Sequence, residues 1–129
     1  MSILVAKHIN SVLSGDEQLS QAVGDRIYLE GIKNETQFPY IIFDYDVSPD
    51  SENSTKDGDS DVCNVVVGVY SDEPIRSLEI AERVREVLSD SDGDYGTFQV
   101  DDTVFDGYEG YFDDGFYLRI LRFNIYTSK

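Results

Sequence analysis

Val23-Gly24-Asp25-Arg26-Ile27-Tyr28 and then Phe38-Pro39-Tyr40-Ile41-Ile42-Phe43 set the order of the first third of the chain. Gly24 tolerates the positive φ that ends a helix, which most residues resist. Pro39 stands at a strand entrance, where its missing N–H costs no ladder bond. The stretch therefore reads as helix end, strand, polar loop, strand.

Upstream, Ser2 is placed to cap a helix over residues 3–14 with Val5, Ile9, Val12 and Leu13 on one face. Ser14-Gly15 ends it, and Asp16 caps a second helix from Glu17 to Val23 that buries Leu19 and Val23. Ile27 to Leu29 reads as a short strand. Downstream, Tyr40 to Val47 alternates, with Ile41, Phe43, Tyr45 and Val47 on one face and Asp44 and Asp46 on the other. Ser48 to Asp61 lacks apolar residues and reads as a long mobile connection. Val62 to Tyr70 is β-prone on both faces, which predicts a central strand covered on both sides.

Ser71-Asp72-Glu73-Pro74 signals a helix start with a capping side chain and Pro in the first turn. Ile75, Leu78, Ala81, Val84, Val87 and Leu88 recur at helical spacing and predict its buried stripe. Two segments of the tail, Thr97 to Phe105 and Phe116 to Tyr126, read as strands. Apolar residues change phase around Ile120, which predicts a bulge there or burial of both faces. Asp106 to Gly115 reads as a turn or protruding loop. The sum is an α+β fold. One domain spans residues 1–129, with a mostly antiparallel sheet of about four to six strands packed by an N-terminal helix and one long middle helix. A mobile acidic loop occupies 48–61.

The net charge is −16, against both a basic nucleic-acid footprint and adhesion to anionic membranes. No apolar run approaches a membrane span, and the N-terminus lacks the pattern of a secretory signal. Cys63 is the single cysteine, so neither an intrachain disulfide nor a cysteine-based zinc site can form. A catalytic thiol needs a histidine partner, and the one histidine, His8, falls inside the first helix.

Asp57-Gly58-Asp59-Ser60-Asp61 and Asp90-Ser91-Asp92-Gly93-Asp94 begin as calcium loops do. Their sixth positions are Val62 and Tyr95 rather than Gly, and their twelfth are Gly68 and Asp101 rather than Glu. Solvated loop acid is the better reading. No catalytic residue, metal ligand or cofactor site is expected. Tyr108, Tyr111, Phe112, Phe116 and Tyr117 cluster beside Asp113 and Asp114, as a partner-binding loop would or as simple cover for the end of the sheet.

In order and spacing, these segments resemble the tail terminator proteins of long-tailed bacteriophages, also called tail completion or minor tail proteins. The resemblance is carried by Leu19 to Tyr28, by Phe38 to Phe43, and by Val65-Val66-Val67-Gly68-Val69-Tyr70-Ser71 before the long helix. Ala81 to Leu88 and the closing Phe123-Asn124-Ile125-Tyr126 extend it over nearly the whole chain. The acidic stretch Asp90 to Asp114 departs from the family pattern, being richer in Asp and aromatics.

The resemblance implies a structural virion protein rather than an enzyme. Copies would form a ring, typically of six, on the head-proximal end of the tail tube, ending polymerisation and presenting a surface to the head. Expected partners are other copies of the chain, the tail tube protein and the head connector or completion protein. DNA would pass through the ring without specific binding, and no membrane is involved. The expected location is the virion, with the host cytoplasm during assembly. On this reading Asp57, Asp59 and Asp61 project toward a partner or the pore. Two other classes stay open: an acidic DNA mimic that inhibits a DNA-binding enzyme, and a small carboxylate-dependent hydrolase.

Overall fold

Alternation along two long neighbouring strands builds the centre of the sheet in the computed structural model, which describes residues 2–32, 35–50 and 60–129. The strands are β1 (Ile27–Leu29), β2 (Tyr40–Pro49), β3 (Asp61–Ser71), β4 (Gly93–Asp94), β5 (Gln99–Asp113) and β6 (Phe116–Ser128). They lie in the order β1-β2-β3-β6-β5-β4. β1 pairs parallel with β2, and every other pairing is antiparallel. The helices are α1 (Ala6–Ser14), α2 (Glu17–Val23) and α3 (Pro74–Leu88). This is the α+β fold that the sequence predicts, with the strand count at the upper end.

All three helices lie on one face of the sheet. Ile41, Phe43, Cys63, Val65, Val67, Val69, Leu121, Phe123 and Ile125 point to that face and are buried against Val5, Ile9, Leu13, Leu19, Val84 and Leu88. Helix α2 begins as expected: the Asp16 carboxylate accepts the Leu19 N–H at 3.0 Å. It also takes two bonds from Arg83 of α3, at 2.6 and 3.0 Å. The Arg83 guanidinium holds the Asp16 carboxyl below its ordinary value of 3.8. One side chain thus caps α2 and fastens it to α3. Asp16→Ala is expected to cost about 1 kcal/mol through the lost cap alone. A urea titration reads this, and Asp16→Asn should keep the cap while losing the ion pair. The contribution of the ionised form is complete above pH 3.8 and fades as pH falls through the lower folded value.

Several expectations need correction. The chain opens with a 3-10 turn, Ser2–Val5, and the α-helix starts only at Ala6, behind Val5, which cannot cap. Gly15 keeps right-handed angles, and its role is space: a Cβ there would meet the Ser11 carbonyl at 2.8 Å. Helix α3 has Glu73 before it without a side-chain cap; the Ser71 hydroxyl instead accepts the Glu73 N–H just upstream. Its buried side is Ser77, Ile80, Ala81, Val84 and Leu88, while Ile75 and Leu78 are 66% and 41% exposed. The cause is that Ser77 is held inward by Arg119, which turns the first two turns of the helix away from the predicted stripe.

Among the described residues no further layer covers the face of β3 opposite the helices, and Val66 stands exposed on it. β6 runs without a bulge at Ile120. The two irregularities lie in β5, at Asp101 and Asp106, and the phase change in β6 reflects partial burial on both faces. Asp106 to Asp113 is strand rather than loop. Asp114 and Gly115, with φ of 44° and 86°, make the tight turn into β6. An Asp-Gly pair suits such a two-residue turn, since both positions need positive φ.

Candidate interaction surface

Two carboxylates of the acidic loop, Asp57 and Asp59, lie outside the described residues. Asp61 begins β3, opposite Pro49 and Thr127. Tyr108, Tyr111, Phe112, Asp113 and Asp114 lie at the far end of the β5–β6 pair, where Asp113 faces Phe116. Eleven steps along β6 separate the two places, about 35 Å at the usual rise of a strand. The structure therefore does not bring Asp61 into the aromatic group.

That aromatic group divides between the two faces of the sheet. Tyr108 and Phe112 share the helix face with Leu121 and Tyr117, their cross-strand partners. Phe112 packs on Tyr117 with ring centres 4.8 Å apart, yet remains 63% exposed. Two arginines hold this shelf against α3. Arg119 donates to the Ser77 hydroxyl at 2.8 Å and to the Tyr108 hydroxyl at 3.4 Å. Arg85 lies 4.0 Å over the Phe105 ring, a cation–π contact that orients both groups. Between helix and shelf runs a groove of about 240 Å³ lined by Leu78, Ala81, Glu82, Arg85, Phe105, Tyr108 and Leu121. Helices α1 and α2 pack against α3 in the core.

On the opposite face, Tyr40 and Tyr70 stack at 4.8 Å, and Phe38 and Phe116 extend the row. Tyr111 donates to Glu109 at 2.5 Å, and Glu109 pairs with Arg122 at 2.5 Å. The carboxylate beside it pushes the Tyr111 hydroxyl above its ordinary value. Phe116 and Tyr117 thus cover sheet ends, as the plainer reading has it. Tyr108 and Phe112 on the helix face and Tyr111 on the other keep about half or more of their surface in solvent, and exposed aromatic side chains are enriched where proteins meet partners.

The single cysteine and the single histidine are both buried. Cys63 is fully enclosed, and burial pushes its thiol up to about 12, away from the thiolate. His8 is also fully enclosed. The Ser91 hydroxyl donates to the Leu88 carbonyl at 2.7 Å, so its oxygen accepts from His8 Nε2–H at 2.9 Å. Nδ1 then accepts from the Tyr95 hydroxyl at 2.7 Å. Thr103 of β5 closes the network by donating to the Ser91 carbonyl at 3.0 Å. The imidazole joins α1 to β5 through the segment after α3, and burial lowers its pKa below 6.5. This is a structural histidine. Among the described residues no cluster of His, Cys, Asp or Glu is grouped to hold a metal ion, and no helix is long and apolar enough to cross a membrane. Asp16 is displaced downward, the opposite of what a general acid requires.

The family model of the tail completion protein gp17 matches residues 7–128. The chain belongs to this family. Membership gives it a structural role in a phage tail. No curated protein matches significantly. Among solved structures, a chain of the virion of a native gene transfer agent particle superposes with a TM-score of 0.79. The match covers 94% of this chain and 92% of that one at 16% identity, so what the two share is the fold.

Sequence reasoning located the aromatic and acidic residues of β5 but not the exposed Ile75 and Leu78, which it placed in the core. The missing signal was Ser77, a small polar residue set inward for Arg119. Asp114-Gly115 was the available sign that the family member's last two strands form one long hairpin.

Proposed function

We propose that the protein closes the head-proximal end of a phage tail tube as a ring, stopping polymerisation and offering the surface to which the head joins. The observation that carries this reading is the family match over residues 7–128. The virion origin of the structural neighbour supports it. A growing tube end templates the next ring of tube subunits; a closed cap occupies those contacts without repeating them on its far side. Such a ring needs heterologous contacts, in which one patch of each subunit meets a different patch of the next.

In this role Tyr108, Tyr111, Phe112, Asp113 and Asp114 are contact residues of the hairpin end. Asp57, Asp59 and Asp61 face a partner or the channel. A chain with a net charge of −16 suits a channel wall, because like charge keeps DNA from adhering as it passes. The DNA-mimic alternative is less favoured: α3 carries three Arg and three Glu, so the long helix presents no row of phosphate-like charge.

Removal of the gene from the phage is the test. Electron micrographs of the lysate should show overlong or headless tails beside filled heads. Normal tails joined to heads would overturn the reading and return the mimic to first place.

A further inference from the structure

The two outer edges of the sheet are alike in being apolar and unlike in charge. On one side, β5 holds five carboxylates and no base. β4 covers only Gln99 and Val100, and the rest of the outer edge of β5 has no strand partner among the described residues. Tyr108 and Phe112 stand exposed there on the helix face. On the other side, a groove of about 310 Å³ opens between α1 and β1, lined by Ala6, Lys7, Asn10, Ile27, Leu29 and Phe43. Leu29 is 43% exposed at its rim. The 3-10 turn and α1 together hold one cation, Lys7, and no acid. That is an exception in a chain with a net charge of −16.

We infer that the β5 edge of one copy seats in the α1–β1 groove of the next, with Phe112 and Tyr108 against Leu29 and Ala6, and with Asp106 facing Lys7. This inference rests on the ring reading above and names its subunit contact. Charge selects the pairing. Two β5 edges brought together would oppose two rows of carboxylates, whereas the groove offers a cation on an acid-free wall. The two patches lie at opposite edges of one sheet, so the contact is heterologous and repeats head to tail, the arrangement a closed ring requires. The irregularities at Asp101 and Asp106 and the acids along β5 oppose strand-to-strand pairing with a neighbour. The contact is therefore side-chain packing, not a continuous sheet.

Two full-length variants at exposed positions test it: Phe112→Glu disables the β5 edge, and Leu29→Glu disables the groove, and the two altered patches repel each other. Circular dichroism checks that each is folded, and light scattering reads the mass. Where the wild-type chain assembles, each variant alone should stay monomeric. Mixed together, they should form a one-to-one dimer and nothing larger, because only one good pair of patches remains. A variant that assembles like the wild type overturns the contact while leaving the ring reading intact.

If the wild-type chain is monomeric in solution, carbodiimide coupling on purified tails reads the same contact. An interchain amide between Lys7 and Asp106 supports it. Tails that hold several copies without that link overturn the contact. Tails that hold a single copy overturn the ring reading itself.

Discussion

Phe123→Ala is expected to lower stability by about 3–5 kcal/mol, a large share of the 5–15 kcal/mol typical of a domain. Phe123 is 1% exposed and occupies the middle of β6, paired with Val65 on one side and Phe105 on the other. Its ring meets Phe105 edge to face at 5.6 Å. Removing it takes apolar surface out of the layer between sheet and α3 and leaves a cavity that two paired strands cannot close around. The urea midpoint should fall by about 1 M or more with an unchanged slope. A shift of a few tenths would mean that the helix layer repacks freely, contrary to the core described above.

His8→Ala carries the second large effect, about 3 kcal/mol, because it strands two hydroxyl partners and empties a buried site. Tyr95 loses its acceptor and Ser91 its donor, and α1 loses its tie to β5. The wild-type protein should also show a pH dependence that the variant lacks. Burial lowers the folded His8 pKa below the ordinary 6.5, so the unfolded chain takes up the proton first. The stability held by neutral His8 is complete above pH 6.5 and declines as pH falls toward the folded value. Thermal unfolding from pH 7.5 to 5 measures this. His8→Leu should flatten that part of the profile, and an equal slope in both proteins would contradict the neutral, buried assignment.

The ends of α2, the strand β1 and the alternation of β2 were legible because each follows from a local rule. Asp16 caps, Gly24 takes a φ of 60°, and Ile41 and Phe43 point inward at period two. The rotation of α3 was not legible. Ile75 and Leu78 fit the helical spacing of a core stripe as well as Ile80 does, and the choice between them depends on Arg119, 42 residues from Ser77. Gly107, Gly110 and their acidic neighbours look like loop in the sequence, which makes β5 read shorter than it is. In the fold they form an outer strand, where two irregularities and exposed acids are tolerated and no second partner is required. The same property makes β5 the best candidate for contact with another subunit. Sequence pattern found its aromatic residues, but only the sheet order shows that they lie on the opposite edge from Lys7 and Leu29.

Electron microscopy of isolated tail tubes mixed with the purified protein tests the proposed cap. A ring of added density is expected on one tube end, the end that joins the head, with bare tube walls and no further growth when tube subunits are supplied. Tubes that keep growing in the presence of the protein, with no density at either end, would contradict it.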